Sequence, residues 1–365
     1  MHQRVNGFTR IIASVCSLLA ASVSHNASGT EGPAFNRWAD KAIDRFREKY
    51  NLASVTAAIV FDGDIVWTGS TGYANIEARR PATPETPYRI ASLTKSMTGV
   101  AVIKLVENKK IDLTATVQAY VPRFPEKRWP ITVGQLLHHT AGIGHYRARE
   151  NRPTEHFETL TDALTVFQGR PLRFEPGTRY GYTTYGYTLL GSVIEGATGM
   201  EYERWMKTNL WRPSGMLATQ LENRNRPIDC QASLYRLKRK KLVPDTATDL
   251  SVKGPGGGVV STAPDMARFA QAVMSGELLN EDSIKQLWTV PDSHDGPSYA
   301  AGWFVDHDHE LGYVAMNDGN QSGANSRLIL LPQRQLAVVV LCNVSRVGRP
   351  MQQFTWSLVR EFVSP

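Results

Sequence analysis

Strand-forming segments lie at the two ends of the chain, and this placement constrains the fold more than any other feature. Residues 54–75 (SVTAAIVFDGDIVWTGSTGYAN) hold two β-rich runs around Asp62-Gly63, a pair that favours a hairpin turn. The C-terminal part carries four further strand-like runs, with a turn predicted at residues 332–334: YAAGWFV, GYVAM, SRLILLP and QLAVVVLC. Hairpin-like connections are typical of antiparallel pairing. We therefore expect one antiparallel sheet assembled from both chain ends.

Helices and loops fill the interval between these strands. From residue 122 to about residue 254 the sequence alternates loops, prolines and amphipathic helical segments. With 365 residues, 42% of them hydrophobic, the chain can bury a large core. The predicted class is α/β (α+β): an antiparallel sheet flanked by helices, with an inserted and mostly helical domain. The predicted bounds are one domain at 34–365, its α/β region at 34–95 and 255–365, and the helical insertion at about 96–254.

The first residues have the order of a secretory signal peptide. Arg4 and Arg10 precede an apolar run at residues 11–23, and small and polar residues follow. We assign residues 1–24 to this leader, with cleavage between Ala21 and Gly29, and expect an exported protein, periplasmic or secreted. A mitochondrial presequence and an N-terminal anchor helix are the alternatives, but the run is short for an anchor. After its removal we expect no stable membrane span.

The net charge argues against a nucleic-acid partner, and the cysteine content leaves one disulfide open. The formal net charge is +7, and loss of Arg4 and Arg10 leaves 39 basic against 34 acidic residues. This excess of basic residues is mild for a chain of this size. Its densest run, at residues 235–243, is typical of a hairpin with a charged tip, and we expect no nucleic-acid partner. Cys230 and Cys342 remain after processing. Whether they pair is left open by the sequence.

A serine three residues before a lysine, at the start of a predicted helix, is the first chemical motif. In YRIASLTKSM (residues 88–97), Ser92 and Lys95 share one helical face, so their side chains can meet. A serine hydroxyl becomes a useful nucleophile when a neighbouring base takes its proton. The alternative is a capping serine beside a solvated lysine, and the spacing by itself does not decide between them.

A tyrosine cluster in residues 174–199 (FEPGTRYGYTTYGYTLLGSVIEGATG) supplies a candidate base, because a tyrosine beside an ammonium group can be held as phenolate. Together with ASLTKSMTGV, ITVGQLLHHTAGI and GGGVVSTAPDMARF, this segment resembles the serine β-lactamase and penicillin-binding-protein family. That family includes class C β-lactamases, D-alanyl-D-alanine carboxypeptidases, β-lactamase-like esterases and the animal mitochondrial β-lactamase-like proteins. The resemblance covers residues 35 to 345, and it implies a serine hydrolase with the predicted fold.

The resemblance also assigns roles to the first two motifs. It implies that Ser92 is the nucleophile, that Lys95 is its lysine, and that Tyr182 is the base. Thr184 stands where the family's Tyr-x-Asn motif has asparagine, so the amide that normally binds substrate is replaced by a hydroxyl. The neighbouring tyrosines are expected to be packing residues.

The third motif departs further from the family pattern. A Lys-Thr-Gly or His-x-Gly sequence becomes Asn317-Asp318-Gly319, so a cation is lost and a carboxylate is gained. Asp318, if ionised and directed inward, would repel the carboxylate of a β-lactam. The resemblance further implies an oxyanion hole from the backbone N–H groups of Ser92 and Asn320, and contact between Asn343 and a substrate carboxylate.

The expected activity is acyl transfer from an ester or amide, including peptides, with weak or no β-lactamase activity and no cofactor or metal. The partner is a small-molecule or peptide substrate, and the sequence does not determine the oligomeric state. One rival is a retired, non-catalytic binding protein of the same fold. Another is a zinc hydrolase built on DHDHE (residues 306–310), which lacks the spacing of known metallohydrolases and reads as a polar connection. The resemblance implies that His138 and His139 lie in a structural turn, and His145 lies within reach of the same loop, with no partner assigned by the sequence.

Overall fold

The computed structural model describes residues 32–147, 150, 152–291 and 296–364, so the predicted leader at residues 1–24 lies outside it. Its strands are β1 (Ser54–Phe61), β2 (Asp64–Asn75), β3 (Arg80–Pro81), β4 (Tyr88–Arg89), β5 (Gln220–Leu221), β6 (Tyr235–Lys238), β7 (Lys241–Pro244), β8 (Val259–Ser261), β9 (Phe304–Asp308), β10 (Gly312–Gln321), β11 (Ala324–Leu331) and β12 (Leu336–Cys342). Its helices are α1 (Gly32–Lys49), α2 (Thr94–Glu107), α3 (Val133–Leu137), α4 (Leu160–Leu164), α5 (Thr184–Thr198), α6 (Tyr202–Met206), α7 (Gly254–Gly257), α8 (Ala263–Met274), α9 (Glu281–Leu287) and α10 (Gly348–Val363).

The main sheet joins the two ends of the chain, as predicted. Its seven strands run in the order β3-β2-β1-β12-β11-β10-β9, and neighbouring strands are antiparallel. The junction is the β1–β12 pair, where Ala57 lies opposite Val340. The first strand of the chain therefore lies beside the last, and the antiparallel fold class is confirmed.

Helices cover both faces of this sheet. Along β12, Val338 and Val340 belong to a core cluster with α1 and α10, whereas Val339 and Leu341 belong to a larger cluster with α2, α5 and α8. This alternation is the period-two pattern of a strand buried on both sides. The helices of the inserted region pack against the second face, and the start of α2 reaches strand β10.

Local signals in the sequence located two hairpins correctly, and a threonine cap is also present. The hairpin at Asp62-Gly63 is present, with both residues at positive φ (47° and 89°). Thr262 caps α8 by accepting a hydrogen bond from the backbone N–H of Asp265 at 3.2 Å. Strands β6 and β7 form the predicted hairpin with a basic tip.

Two expectations need adjustment. The segment YAAGWFV was predicted as a strand, but β9 begins only at Phe304, because the chain before it turns at Gly302 with φ of 86°. The open question of the cysteines is also answered for Cys342, which is buried and carries a free thiol, so it does not pair with Cys230. Within the described part of the chain, none of the helices combines the length and apolar character needed to cross a bilayer.

Candidate active site

Ser92 lies in a short 3-10 turn (Ala91–Leu93) that leads into α2. The preceding residue, Ala91, has φ of 48°, a left-handed conformation that costs about 1 kcal/mol or more for a residue with a side chain. Gly319 of β10 packs against this turn. A Cβ at position 319 would collide with the carbonyl oxygen of Ile90 and with the Cβ of Ala91. The sheet and the strained turn thus fix the position of the serine together.

Lys95 and Tyr182 both contact the Ser92 hydroxyl. The distance from Lys95 Nζ to Ser92 Oγ is 3.1 Å, and the Tyr182 hydroxyl donates to the same Oγ at 2.8 Å. Lys95 Nζ also lies 2.6 Å from the carbonyl oxygen of Gly256 and 3.2 Å from Thr184 Oγ1. The lysine is therefore not a solvated charge: it is fully buried and directed at the serine.

Burial acts against both charged forms of the expected phenolate and ammonium pair. Burial, followed by the nearby charge of Lys253, holds the pKa of Lys95 well below its usual value. Burial also raises the pKa of the Tyr182 hydroxyl, so the neutral phenol is favoured. A neutral lysine can donate its two hydrogens to Gly256 O and Thr184 Oγ1 and keep its lone pair for the Ser92 proton. These contacts make Lys95 a second candidate for the base beside Tyr182, whose predicted role stays a prediction.

Thr184 serves the lysine rather than the substrate side of the site. Only 2% of its surface is exposed, and its hydroxyl contacts Lys95. Its backbone N–H donates to His145 Nδ1 at 3.0 Å, and the N–H of Thr183 donates to His139 Nδ1 at 3.3 Å. These two histidines therefore hold the Tyr182 segment in place, a structural role that was expected for His139 and not assigned to His145.

Asn317 lies beneath the nucleophile. Its side-chain amide donates to the backbone oxygen of Ser92 at 3.3 Å, to Ser96 Oγ at 3.0 Å and to Gly302 O at 2.8 Å. With 3% of its surface exposed, it braces the turn and is not directed toward solvent. The position that carries a cation or histidine in the family motif is here a structural amide.

Asp318 is on the opposite face of β10 from Asn317, as the alternation of a strand requires. Its side chain is 53% exposed, and its Oδ1 lies 3.7 Å from Nη1 of the buried Arg327 on the neighbouring strand. The carboxylate is therefore neither buried nor directed straight at Ser92. Its charge nonetheless reaches the site, because it acts to raise the pKa of Lys95 and of Tyr182.

Two predicted site residues remain, Asn320 and Asn343, and their surroundings differ. Asn320 follows Gly319 on β10, with its side chain accepting from Asn325 Nδ2 at 3.0 Å and from the N–H of Arg346 at 3.1 Å. Its backbone role in an oxyanion hole stays a prediction. Asn343 is 1% exposed and its amide contacts Ser54 and backbone oxygens of other segments. We therefore correct its predicted role from substrate contact to a structural brace.

Sequence reasoning missed Lys253, which precedes α7. It is 3% exposed, and its Nζ lies 5.1 Å from the ring centroid of Tyr146. Burial and the charge of Arg89 lower the pKa of Lys253 to about 8. The only sequence signal was a lysine directly before a glycine-rich run, and such a residue is normally exposed.

Ser92 lies apart from a large cavity in the described part of the chain. Within the described ranges, no group of three or more His, Cys, Asp or Glu side chains is arranged to hold a metal ion. The DHDHE segment forms the end of β9 and a turn, in which Asp308 accepts from two backbone N–H groups. A cavity of about 910 Å³ lies between α4, α5 and α6, and its lining does not include Ser92, Lys95 or Tyr182. The contacts among Ser92, Lys95 and Tyr182 therefore define the candidate site, and this cavity does not.

The chain is similar to known proteins over most of its length. The human mitochondrial serine β-lactamase-like protein LACTB is 28% identical over an alignment covering 87% of this chain and 80% of that protein. Among solved structures, the octameric penicillin-binding protein homologue from Pyrococcus abyssi matches 90% of this chain and 77% of its own, with a TM-score of 0.77 and 25% identity. The D-amino acid amidase from Ochrobactrum anthropi SV3 matches 91% of this chain and all of its own, with a TM-score of 0.78 at 20% identity, which shows the shared fold. The β-lactamase family model matches residues 39–354, nearly the whole described chain, and the protein therefore belongs to the β-lactamase family.

Proposed function

We propose that this protein is a serine hydrolase that cleaves an ester or amide through an acyl-enzyme on Ser92. One observation carries the proposal: the Ser92 hydroxyl lies within hydrogen-bond distance of both Lys95 and Tyr182, at 3.1 and 2.8 Å. A buried amine with a lowered pKa, placed against a hydroxyl, is the arrangement that activates a serine nucleophile. A purely structural serine needs neither partner.

Acylation follows from these contacts. The free amine of Lys95 takes the Ser92 proton while Ser92 Oγ attacks the substrate carbonyl carbon. The resulting oxyanion is stabilised by backbone N–H groups, for which Ser92 and Asn320 are the proposed donors. When the tetrahedral intermediate collapses, the leaving group takes a proton that originates on the Lys95 ammonium, and Tyr182 is placed to relay it.

Deacylation reverses the proton path. A water molecule attacks the acyl carbon and gives its proton to Lys95, and the departing Ser92 Oγ is reprotonated. The family's solved structures include the amidase named above, and this supports an ester or amide, including D-amino-acid and peptide amides, as the substrate class. The altered third motif supports poor turnover of β-lactams.

The test is intact-mass analysis after incubation with a fluorophosphonate, which forms a stable adduct with activated serines. We expect one adduct on the wild type and none on Ser92→Ala. Ser357→Ala, which removes a hydroxyl bonded within α10, is the control and should label like the wild type. Circular dichroism establishes that each variant folds.

The second candidate is a β-lactamase-like protein that binds without catalysis. The observations in its favour are Thr184 and Asn317, since both replace side chains that normally act on substrate. Absence of an adduct on folded wild type would contradict the hydrolase and support this alternative. An adduct that persists in Ser92→Ala would place the nucleophile elsewhere.

A further inference from the structure

Lys253 is a buried cation without a hydrogen-bonded or ion-paired partner in the described part of the chain. Only 3% of its surface is exposed, yet its Nζ makes no described hydrogen bond or salt bridge. Nor does this atom belong to the fully enclosed polar atoms that lack a partner, so it keeps access to solvent. The recorded contact is with the face of Tyr146, at 5.1 Å from the ring centroid. A buried charge normally has a partner, because its burial is otherwise unfavourable.

The nearby carboxylate is already engaged. Glu222 accepts from Arg89 Nε at 2.6 Å in a two-pronged ion pair, and it also accepts from Gln231 Nε2 at 3.1 Å. Arg89 makes further bonds to the hydroxyl and the backbone oxygen of Thr248. The carboxylate of Glu222 is therefore paired with Arg89, and Lys253 has no carboxylate partner among the described residues.

Lys253 lies close to residues that contact the candidate nucleophile. It directly precedes α7, whose Gly256 carbonyl accepts from Lys95. Its aromatic neighbour Tyr146 packs on His145 with ring centroids 3.7 Å apart, and His145 in turn lies 5.6 Å from the ring of Tyr182. The charge of Lys253 is also close enough to lower the pKa of both Lys95 and His145.

We propose that Lys253 binds a carboxylate on the substrate, so that this enzyme selects anionic esters or amides. The inference deepens the proposed function and rests on it. A substrate carboxylate would supply the missing partner of a poorly hydrated ammonium group, which is where a charge-assisted hydrogen bond is strongest. Lys253 would also supply the positive charge that the third motif lacks, since that motif has Asn317 in place of a cation.

Matched ester pairs test the proposal. Mono-4-nitrophenyl adipate and 4-nitrophenyl hexanoate differ in a carboxylate on the acyl part, whereas 3-acetoxybenzoate and its methyl ester differ in a carboxylate on the leaving group. For the pair whose carboxylate reaches Lys253, we expect wild-type kcat/KM to favour the anion by about tenfold or more. Lys253→Met should bring that ratio to about one, and Lys253→Arg should retain a preference. Lys207→Met, at an exposed lysine of similar length, is the control and should keep the wild-type ratio.

A measurement on the unaltered protein guards against variants that fail to fold. Because the pKa of Lys253 is about 8, the preference for the anion should weaken as pH rises above that value. The groups facing Lys253 are Tyr146, Arg89 and Glu222, with Lys95 and His145 within reach of its charge. Dividing the anionic rate by the neutral rate cancels titration of the shared catalytic groups.

The outcomes separate this inference from the proposed function. The carboxylate site alone is overturned if the wild type forms the fluorophosphonate adduct but shows no preference for the anion in either ester pair. The same conclusion follows if Lys253→Met keeps the wild-type ratio of kcat/KM values. A wild type with neither adduct nor ester turnover overturns the hydrolase and this inference together.

Discussion

At the scale of single residues, Lys95 is where catalysis and stability conflict. The side chain is fully buried and makes no contact with a carboxylate, and its pKa is lowered chiefly by burial. The folded protein therefore holds fewer protons at this site than the unfolded chain below the usual lysine pKa. The contribution of Lys95 to the free energy of unfolding therefore rises with pH between its pKa in the folded state and its pKa in the unfolded state. Below the folded-state pKa, Lys95 destabilises the folded protein by its full amount.

Lys95→Met should show both sides of this conflict. Without its base the enzyme should lose about 10²- to 10⁴-fold in the rate of acylation. The free energy of unfolding at pH 7 should be equal to or above that of the wild type, and the difference should narrow as pH approaches 10. Urea unfolding at pH 7 and pH 9.5 measures this, with the exposed Lys207→Met as control. A variant much less stable than the wild type would contradict the argument.

Residues near each other in sequence were predictable and distant ones were not. Ser92 and Lys95 lie one helical turn apart, so their contact follows from helix geometry, and family resemblance added Tyr182. Lys253 could not be identified, because its burial depends on Tyr146, more than a hundred residues earlier in the chain. The misassigned Asn343 has the same cause: its bonds to Ser54 and to the backbone of Ser233 join distant segments.

At the scale of elements, strand β10 and the nucleophile turn form one unit. Gly319 lies where a side chain would press on Ile90 and Ala91, and the carbonyl of Ile90 also accepts from Ser326 Oγ at 2.6 Å. The lack of a Cβ at position 319 is what lets the strand approach the turn. Movement of either element would displace Ser92.

Gly319→Ala should therefore impair both activity and folding. Overpacking of this kind costs about 1–3 kcal/mol, and the displaced turn should slow fluorophosphonate labelling. The matched control is Gly169→Ala, since a Cβ at that position meets nothing within 4 Å. Labelling rates and thermal unfolding of the two variants give the comparison. Wild-type behaviour of Gly319→Ala would mean that the contact is not restrictive.

Elements with local signals were placed well, and the exception has a tertiary cause. Hairpin turns depend on a few adjacent residues, which explains the success at Asp62-Gly63 and in the β6–β7 hairpin. The start of β9 was misplaced because Gly302 turns the chain against α2. A Cβ there would collide with the carbonyl oxygen of Lys95, a contact between elements about two hundred residues apart.

At the scale of the whole molecule, the fold is shared by proteins with different substrates. This chain and the penicillin-binding protein homologue from Pyrococcus abyssi superpose with a TM-score of 0.77, although they are 25% identical. The strand pattern at the two chain ends was sufficient to predict this architecture. The fold alone therefore does not determine the substrate, and under the proposed function the side chains around Ser92 would select it.

The departures in the third motif lead to the last prediction. In a cephalosporin the carboxylate is attached to the six-membered ring that is fused to the β-lactam. Acylation of Ser92 would therefore bring it toward β10, where Asn317 supplies no positive charge and Asp318 carries a negative one. We expect cephalosporin kcat/KM to be about 100-fold or more below that for 4-nitrophenyl hexanoate, because like-charge contacts and a lost ion pair cost several kcal/mol.

Asp318→Asn tests the cause of this difference. It should raise the cephalosporin-to-ester ratio by only a few fold, because Asp318 is 53% exposed and solvent screens its charge. Glu310→Gln, at an acidic residue of the turn after β9, controls for loss of one negative charge and should leave the ratio unchanged. Hydrolysis of a chromogenic cephalosporin, followed by absorbance, gives both rates. A wild-type rate equal to that of the ester would show that the backbone edge of β10 suffices for β-lactam recognition without the missing cation.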